Sequence, residues 1–249
     1  MTQPSRTERV WPLVRLAGAV LILVAALAQL TRTVQNALAA VPPATGDVGA
    51  VVANFLSFFT IQSNIASAVV LIAAAIWTWT KGKDAAQDSP GIAVALACVT
   101  TYMIVTGVVY NTLLRNVELP QGVTVWWSNE ILHVVAPLLL VADLLLAPKR
   151  RALAWSTVWV IVVYPIVWVV YTLVRGPLMI APATGAPSWY PYPFLDPSLQ
   201  GGYPGVMIYV VVIAATVVAA GFLVVWVGRR RAATRESRAA VMPTAGASL

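Results

Sequence analysis

At 249 residues, with 59% hydrophobic and only 10% charged side chains, the chain lacks the roughly 25% of charged residues that clothe a soluble domain. This excludes a large water-soluble core and points to a polytopic membrane protein. The net charge of +7 does not indicate nucleic acid, because the charges lie in short clusters between apolar runs and not on one folded face. One cysteine, Cys98, permits no internal disulfide, and no Cys/His spacing offers a metal site.

Six segments reach the ~20 residues needed to cross ~30 Å of hydrocarbon: 10–30, 51–79, 91–114, 126–147, 152–174 and 205–227. The expected fold is all-α, a six-transmembrane-helix bundle. The first segment also fits a signal peptide cut at Ala37-Leu38-Ala39, which would leave five spans. Its apolar stretch exceeds a usual h-region of about 7–15 residues, which favours a retained span. The second segment is too long for a perpendicular helix, so it tilts or begins outside the hydrocarbon. Trp77/Trp79 and Trp126/Trp127 suit interface belts. Between the last two spans, the loop over 175–204 is dense in Pro, Gly and aromatics, as a structured lid would be.

Charge sets the orientation. With the N-terminus inside, the inner segments hold Arg6, Arg9, Arg15, Lys81, Lys83, Lys149, Arg150, Arg151, Arg229, Arg230, Arg231, Arg235 and Arg238, against Arg32, Arg115 and Arg175 outside. This bias predicts a multi-pass protein of the cell membrane with both termini cytoplasmic. One domain is expected over 1–231, followed by a disordered tail over 232–249.

Helical spacing then places polar residues on faces. On the second span Ser57, Thr60, Ser63, Asn64 and Ser67 share an arc of about 120°, with Gln62 off it. Thr100, Gly107, Asn111 and Arg115 form a stripe on the third span, and Asn129, His133 and Pro137 on the fourth, with Glu130 at its edge. Tyr164, Trp168, Tyr171 and Arg175 align on the fifth, where Pro165 is a potential kink. Polar faces turned to lipid would lack partners, so they are expected to face inward around an outer-leaflet pocket. Counting from the two membrane boundaries brackets Thr60 and His133 at similar depth.

His133 is the only histidine, and a buried side chain that titrates near neutrality can take and return a proton. Its ordinary alternative is an interhelical hydrogen bond. Thr60 alone is weak, since Thr and Ser commonly bond their own helix. Arg115 and Arg175 either snorkel to the interface or hold a carboxylate or phosphate at the pocket mouth. Glu130 is placed to orient His133, and Asp196 to cap a helix, pair with an arginine or close the pocket. Asp143 reads as structural, reaching the inner surface.

The segments "FFTIQSNI", "NEILHVVAPLLL", "YPIVWVVYTLVRG" and "YPYPFLD" resemble the bacterial six-span relatives of the androgen-induced-gene-one and androgen-dependent TFPI-regulating protein family. The likeness covers about 55 to 200, in order. Animal members are integral-membrane threonine hydrolases that cleave fatty acid esters of hydroxy fatty acids. The resemblance implies a bacterial inner-membrane lipid-ester hydrolase with Thr60 as nucleophile and His133 as base, and no cofactor. In that reading Asn64 or Asn129 steadies the oxyanion with Glu130 in support, and Asn111, Arg115, Tyr171, Arg175 and Asp196 contact substrate. The Gln-Ser-Asn and Tyr-Pro-Tyr-Pro sequences look characteristic of the bacterial branch. The rival reading is a non-enzymatic lipid- or small-molecule-binding protein, a transporter or a sensor.

Overall fold

A computed structural model describes residues 6–44, 46–117 and 124–241. It has no strand among these residues, and six helices are long and apolar enough to cross a membrane. The chain is an all-α, six-span membrane protein. In order, α1 covers Arg6–Leu38, α2 Val48–Ser57, α3 Phe59–Trp79 and α4 Pro90–Val109, which a wide π turn extends through Leu114. A short α5, Trp126–Glu130, passes through a second π turn, Ile131–Val135, into α6, Ala136–Leu146, and these form one span. Helix α7 is Thr157–Arg175 and α8 is Tyr203–Val241.

Local chemistry sets several boundaries. Asp47 caps α2 by accepting from the Ala50 N–H at 2.9 Å, and Ser89 caps α4 with Pro90 following in the first turn. Pro165 has no N–H to give the Ile161 carbonyl one turn back. The Tyr102 hydroxyl donates to that carbonyl at 2.9 Å, and α7 continues without a break. The tail differs from expectation: α8 runs on through Val241, because 229–240 contains neither Gly nor Pro and is rich in Ala and Arg. The rest of the expected disordered tail, 242–249, lies outside the described residues.

Small residues let α1 and α3 pack closely: Ala19, Ala25, Ala68 and Ala74 are all completely buried, beside Ile22 and Leu71. Many outward Val, Ile and Leu side chains are exposed, including Val163, Val167, Ile208 and Val211. A soluble protein would not leave such a surface bare; lipid covers it.

The end of the bundle that holds the start of α1 contains buried charges. Asp143 is not at the surface but almost fully enclosed. It accepts from Arg15 Nε at 2.7 Å and Trp11 Nε1 at 2.7 Å, with Arg150 Nη2 at 3.6 Å. Carrying a charge there without these partners would be very costly, which is why the side chain turns inward. Lys149 Nζ donates to the Gly82 and Lys83 carbonyls, and the Asp88 N–H to the Lys149 carbonyl, so the two turns at this end are clamped together. Arg231 donates to the Leu144 and Ala147 carbonyls at the end of α6.

Candidate functional site

The segment 51–79 is not one helix. It breaks at Phe58, which has extended backbone (φ −67°, ψ 129°) between α2 and α3. The 21 residues of α3 suffice to span by themselves, so the long second span resolves as a crossing helix preceded by a short apolar one. A break leaves carbonyls of α2 and N–H groups of α3 without helical partners, and side chains supply them. Gln62 Nε2 donates to the Leu56 carbonyl at 2.7 Å, and Trp168 Nε1 to the Ser57 carbonyl at 3.0 Å. The Thr60 N–H donates to the Tyr192 hydroxyl at 3.2 Å. Gln62, off the polar arc, is thus part of the break, and its Oε1 accepts from the Tyr164 hydroxyl at 2.5 Å.

Thr60 is therefore in the first turn of α3. Its Oγ1 lies 3.2 Å from the Tyr192 hydroxyl. Tyr192 comes from the loop between α7 and α8, where Trp189 N–H donates to the Gly176 carbonyl at 3.0 Å and Gln200 Nε2 to the Pro193 carbonyl at 3.1 Å. The loop is ordered and tucked into the bundle, as its composition suggested. The Tyr192 ring stacks on Phe194 at 5.1 Å and meets Phe58 edge-on at 5.4 Å. Burial pushes its phenol above the ordinary value, against the opposing effect of its hydrogen bonding with Thr60.

Thr60 and Tyr192 border a cleft of about 870 Å³, its open mouth included. The walls are apolar: Val105 and Val109 of α4, Pro165, Ile166 and Val169 of α7, and Ile213 and Val217 of α8. Two of the lining residues, Ile166 of α7 and Ala214 of α8, are exposed, so the cleft is not sealed from the outside of the bundle. The lining residues that carry polar side-chain atoms are Thr60, Thr106, Tyr110, Trp168 and Tyr192.

His133 lies in the π turn of the fourth span and is half-buried. Its Nδ1 is 2.9 Å from the Asn129 carbonyl oxygen. A carbonyl only accepts, so Nδ1 carries the hydrogen and Nε2 of the neutral ring keeps the lone pair. The ring stacks on Tyr110 at 4.0 Å, and Tyr110 is itself on the cleft wall. Gly107 permits this: a Cβ there would stand 3.1 Å from Pro137 and 3.5 Å from the His133 carbonyl oxygen. Both π turns lie at this contact, Tyr110 opening one and His133 central to the other.

The structure does not join Thr60 to His133 by a hydrogen bond among the described residues; Thr60 pairs with Tyr192 and His133 with Asn129. It does set them at comparable depth. Asn64 Nδ2 donates both to the Thr60 carbonyl at 2.9 Å and to the Leu132 carbonyl at 3.1 Å, so the chain beside His133 runs level with Thr60.

Several expected roles are redirected. Asn64 has both amide hydrogens engaged by carbonyls, and Asn129 Nδ2 donates to the Tyr110 hydroxyl at 2.5 Å; neither amide is turned to the Thr60 hydroxyl. Glu130 does not orient His133; it takes both its bonds, at 3.0 Å, from Arg115 Nη2. Arg115 also donates to Asn111, so this guanidinium is held within the chain, and Asn111 and Arg115 are exposed and outside the cleft lining. Tyr171 pairs with Ser57 Oγ at 3.1 Å. Arg175 donates to Asn54 Oδ1 at 2.7 Å and lies over the Trp189 ring at 5.3 Å. Asp196 accepts from Ser198 N and Oγ, shaping a turn in the loop. The sequence reading missed Tyr192 and Tyr110 as site residues; the Tyr-Pro-Tyr-Pro motif was the available signal for the first, and nothing in the spacing marks the second.

Compared with known proteins, the chain matches no family model, no curated protein and no solved structure.

Proposed function

We propose that this chain is an intramembrane lipid-ester hydrolase with Thr60 as nucleophile and His133 as base. What supports the reading is one observation above all: Thr60 lines an apolar cleft, and two other residues of its lining, Ile166 of α7 and Ala214 of α8, are exposed on the outside of the bundle. An ester with long acyl chains can enter such a cleft from the bilayer and lay its carbonyl beside that hydroxyl. The resemblance of the Thr60 and His133 segments to the threonine hydrolases adds to this. The bias of basic residues orients the site toward the extracytoplasmic leaflet, with both termini cytoplasmic.

In the proposed reaction Thr60 Oγ1 attacks the ester carbonyl and its proton passes to His133 Nε2. An acyl-threonine forms, the histidine returns the proton to the leaving alkoxide, and water releases the acid. At rest the two side chains engage other partners, so the transfer requires the Thr60 hydroxyl to leave Tyr192 and reach His133 directly or through one water. An imidazolium formed there also needs a nearby counter-charge, and Glu130, on the next turn, is the nearest acid along the chain.

The test is labelling by a fluorophosphonate probe, with hydrolysis of a p-nitrophenyl acyl ester, in the purified full chain. Labelling is expected at Thr60 and lost in Thr60→Ala, and His133→Ala should lower turnover by about 10²–10⁴. Full turnover by a folded Thr60→Ala variant refutes the assignment.

A second reading is favoured by the resting separation of Thr60 from His133: a cleft that binds a lipid tail without covalent chemistry. Saturable binding of a fatty-acyl lipid with no labelling at Thr60 would select it. Transport gains less support, because the break at Phe58 has no counterpart in α7 or α8, which run unbroken.

A further inference from the structure

Tyr192 has a relationship to Thr60 that packing alone does not require. Its hydroxyl is 3.2 Å from the Thr60 nitrogen and 3.2 Å from the Thr60 Oγ1. A phenol has one hydrogen to give and two lone pairs. The Thr60 N–H donates to it, which leaves the phenolic hydrogen free to point at Oγ1. The ring cannot swing freely, being 5% exposed and held by Phe58, Phe194 and Trp168. The same ring borders the cleft.

When an ester is attacked by Thr60 Oγ1, the carbonyl oxygen that becomes negative is bonded to the same carbon as Oγ1. A donor already within hydrogen-bond range of Oγ1 therefore needs little movement to reach that oxygen. The Thr60 N–H, released from Tyr192, points from the first turn of α3 to the same place, where the helix dipole also favours negative charge. The amides of Asn64 and Asn129, the earlier candidates, are engaged elsewhere.

We propose that Tyr192 is a catalytic residue whose hydroxyl, together with the Thr60 N–H, holds the oxyanion of the tetrahedral intermediate. This rests on the reading of Thr60 as nucleophile. In the step, the Thr60 O–H bond breaks and its proton goes to His133. The Oγ1–carbon bond forms and the carbonyl π pair moves to oxygen. Tyr192 keeps its own proton throughout, in keeping with the burial that makes its phenol hard to ionise. Collapse restores the carbonyl and expels the alkoxide, which takes the proton from His133. Donors of this kind act where charge develops in the transition state and not on the ground-state ester.

The experiment compares the unaltered chain with Tyr192→Phe, which keeps the ring contacts, and with Thr60→Ala. Turnover of a p-nitrophenyl acyl ester by Tyr192→Phe should fall about 10²–10³-fold in kcat with KM little changed. The second readout is inhibition by an acyl trifluoromethyl ketone against the matching methyl ketone. The first forms an oxyanion on Thr60 and should bind at least tenfold more weakly to Tyr192→Phe. The second stays a neutral ketone, and its affinity should not change. If both ketones weaken equally, or if Tyr192→Phe retains kcat, Tyr192 is a packing residue and the proposal falls while Thr60 stands. If the unaltered chain forms no adduct at Thr60, the reading of Thr60 fails and takes this proposal with it.

Discussion

Asp143→Asn is the sharpest test of how the bundle is held together. The substitution keeps the volume and removes the charge, leaving Arg15 and Arg150, each 4% exposed, without their ion-pair partner and with Asp88, a buried acid that forms no salt bridge with either, as the acid left nearby. Removing one partner of a buried ion pair costs about 3–5 kcal/mol. The new amide oxygen can still accept one of the bonds from Arg15 or Trp11, which points to the lower end, about 3 kcal/mol. For a chain of this size that is a fall of roughly 6–12 °C in Tm, at about 2–4 °C per kcal/mol. Unfolding of the purified protein in detergent, followed by tryptophan fluorescence, would read it. Arg15→Met with Asp143→Leu removes both members of the shorter pair and should lose less stability than the two single changes added together. An Asp143→Asn chain that melts within a degree of the parent would refute the claim that this carboxylate neutralises its neighbours.

Two other outcomes follow from the same structure. Gln62→Leu strips the Leu56 carbonyl and the Tyr164 hydroxyl of their partners; with intramembrane hydrogen bonds averaging ~0.6 kcal/mol, the loss should be about 1–2 kcal/mol, and a Gln62→Leu chain more resistant to heat than the parent would show that the break needs no such support. Asp88 is buried with both carboxylate oxygens lacking a hydrogen-bond partner among the described residues, and burial raises its pKa above 3.8 despite nearby Arg15 and Arg150. A raised carboxyl binds its proton more tightly folded than unfolded, so its stabilising contribution is complete below 3.8 and is lost as pH rises through the raised value. Asp88→Asn should remove that segment of the pH–stability curve and be the more stable protein at neutral pH; an unchanged curve would contradict it.

The six spans were legible because hydrocarbon demands length and apolarity, and both are properties of a run of residues. The polar face of the second span was legible too: Thr60, Ser63, Asn64 and Ser67 are all buried, as their shared arc implied. What the residues around Phe58 do not announce is the break. No Pro or Gly marks it, because the groups that make it tolerable come from far along the chain, Trp168 from α7 and Tyr192 from the loop. The same holds for His133. Its spacing placed it on a polar stripe with Asn129, but a carbonyl of the preceding turn and the Tyr110 ring from the π turn after α4 decided its partners. Glu130 looked like its companion by sequence separation, and Arg115, in space, was the stronger attraction.

This changes the meaning of the polar density in Phe58–Asn64. Ser63 donates to the Phe59 carbonyl, Asn64 to those of Thr60 and Leu132, and Gln62 repairs the end of α2. Three of the four polar side chains are accounted for by bonds to backbone carbonyls. Their presence is therefore no argument for chemistry. Thr60 stands apart, because its hydroxyl meets a side chain and not a carbonyl, and it does so at the edge of a cleft. The break matters to that difference. In a continuous helix a threonine hydroxyl commonly bonds the carbonyl one turn back, as Thr78 does with Ala74 and Thr101 with Ala97. At the start of α3, beyond the extended Phe58, there is no preceding turn of the same helix to take it, and the hydroxyl is left for a partner outside the helix.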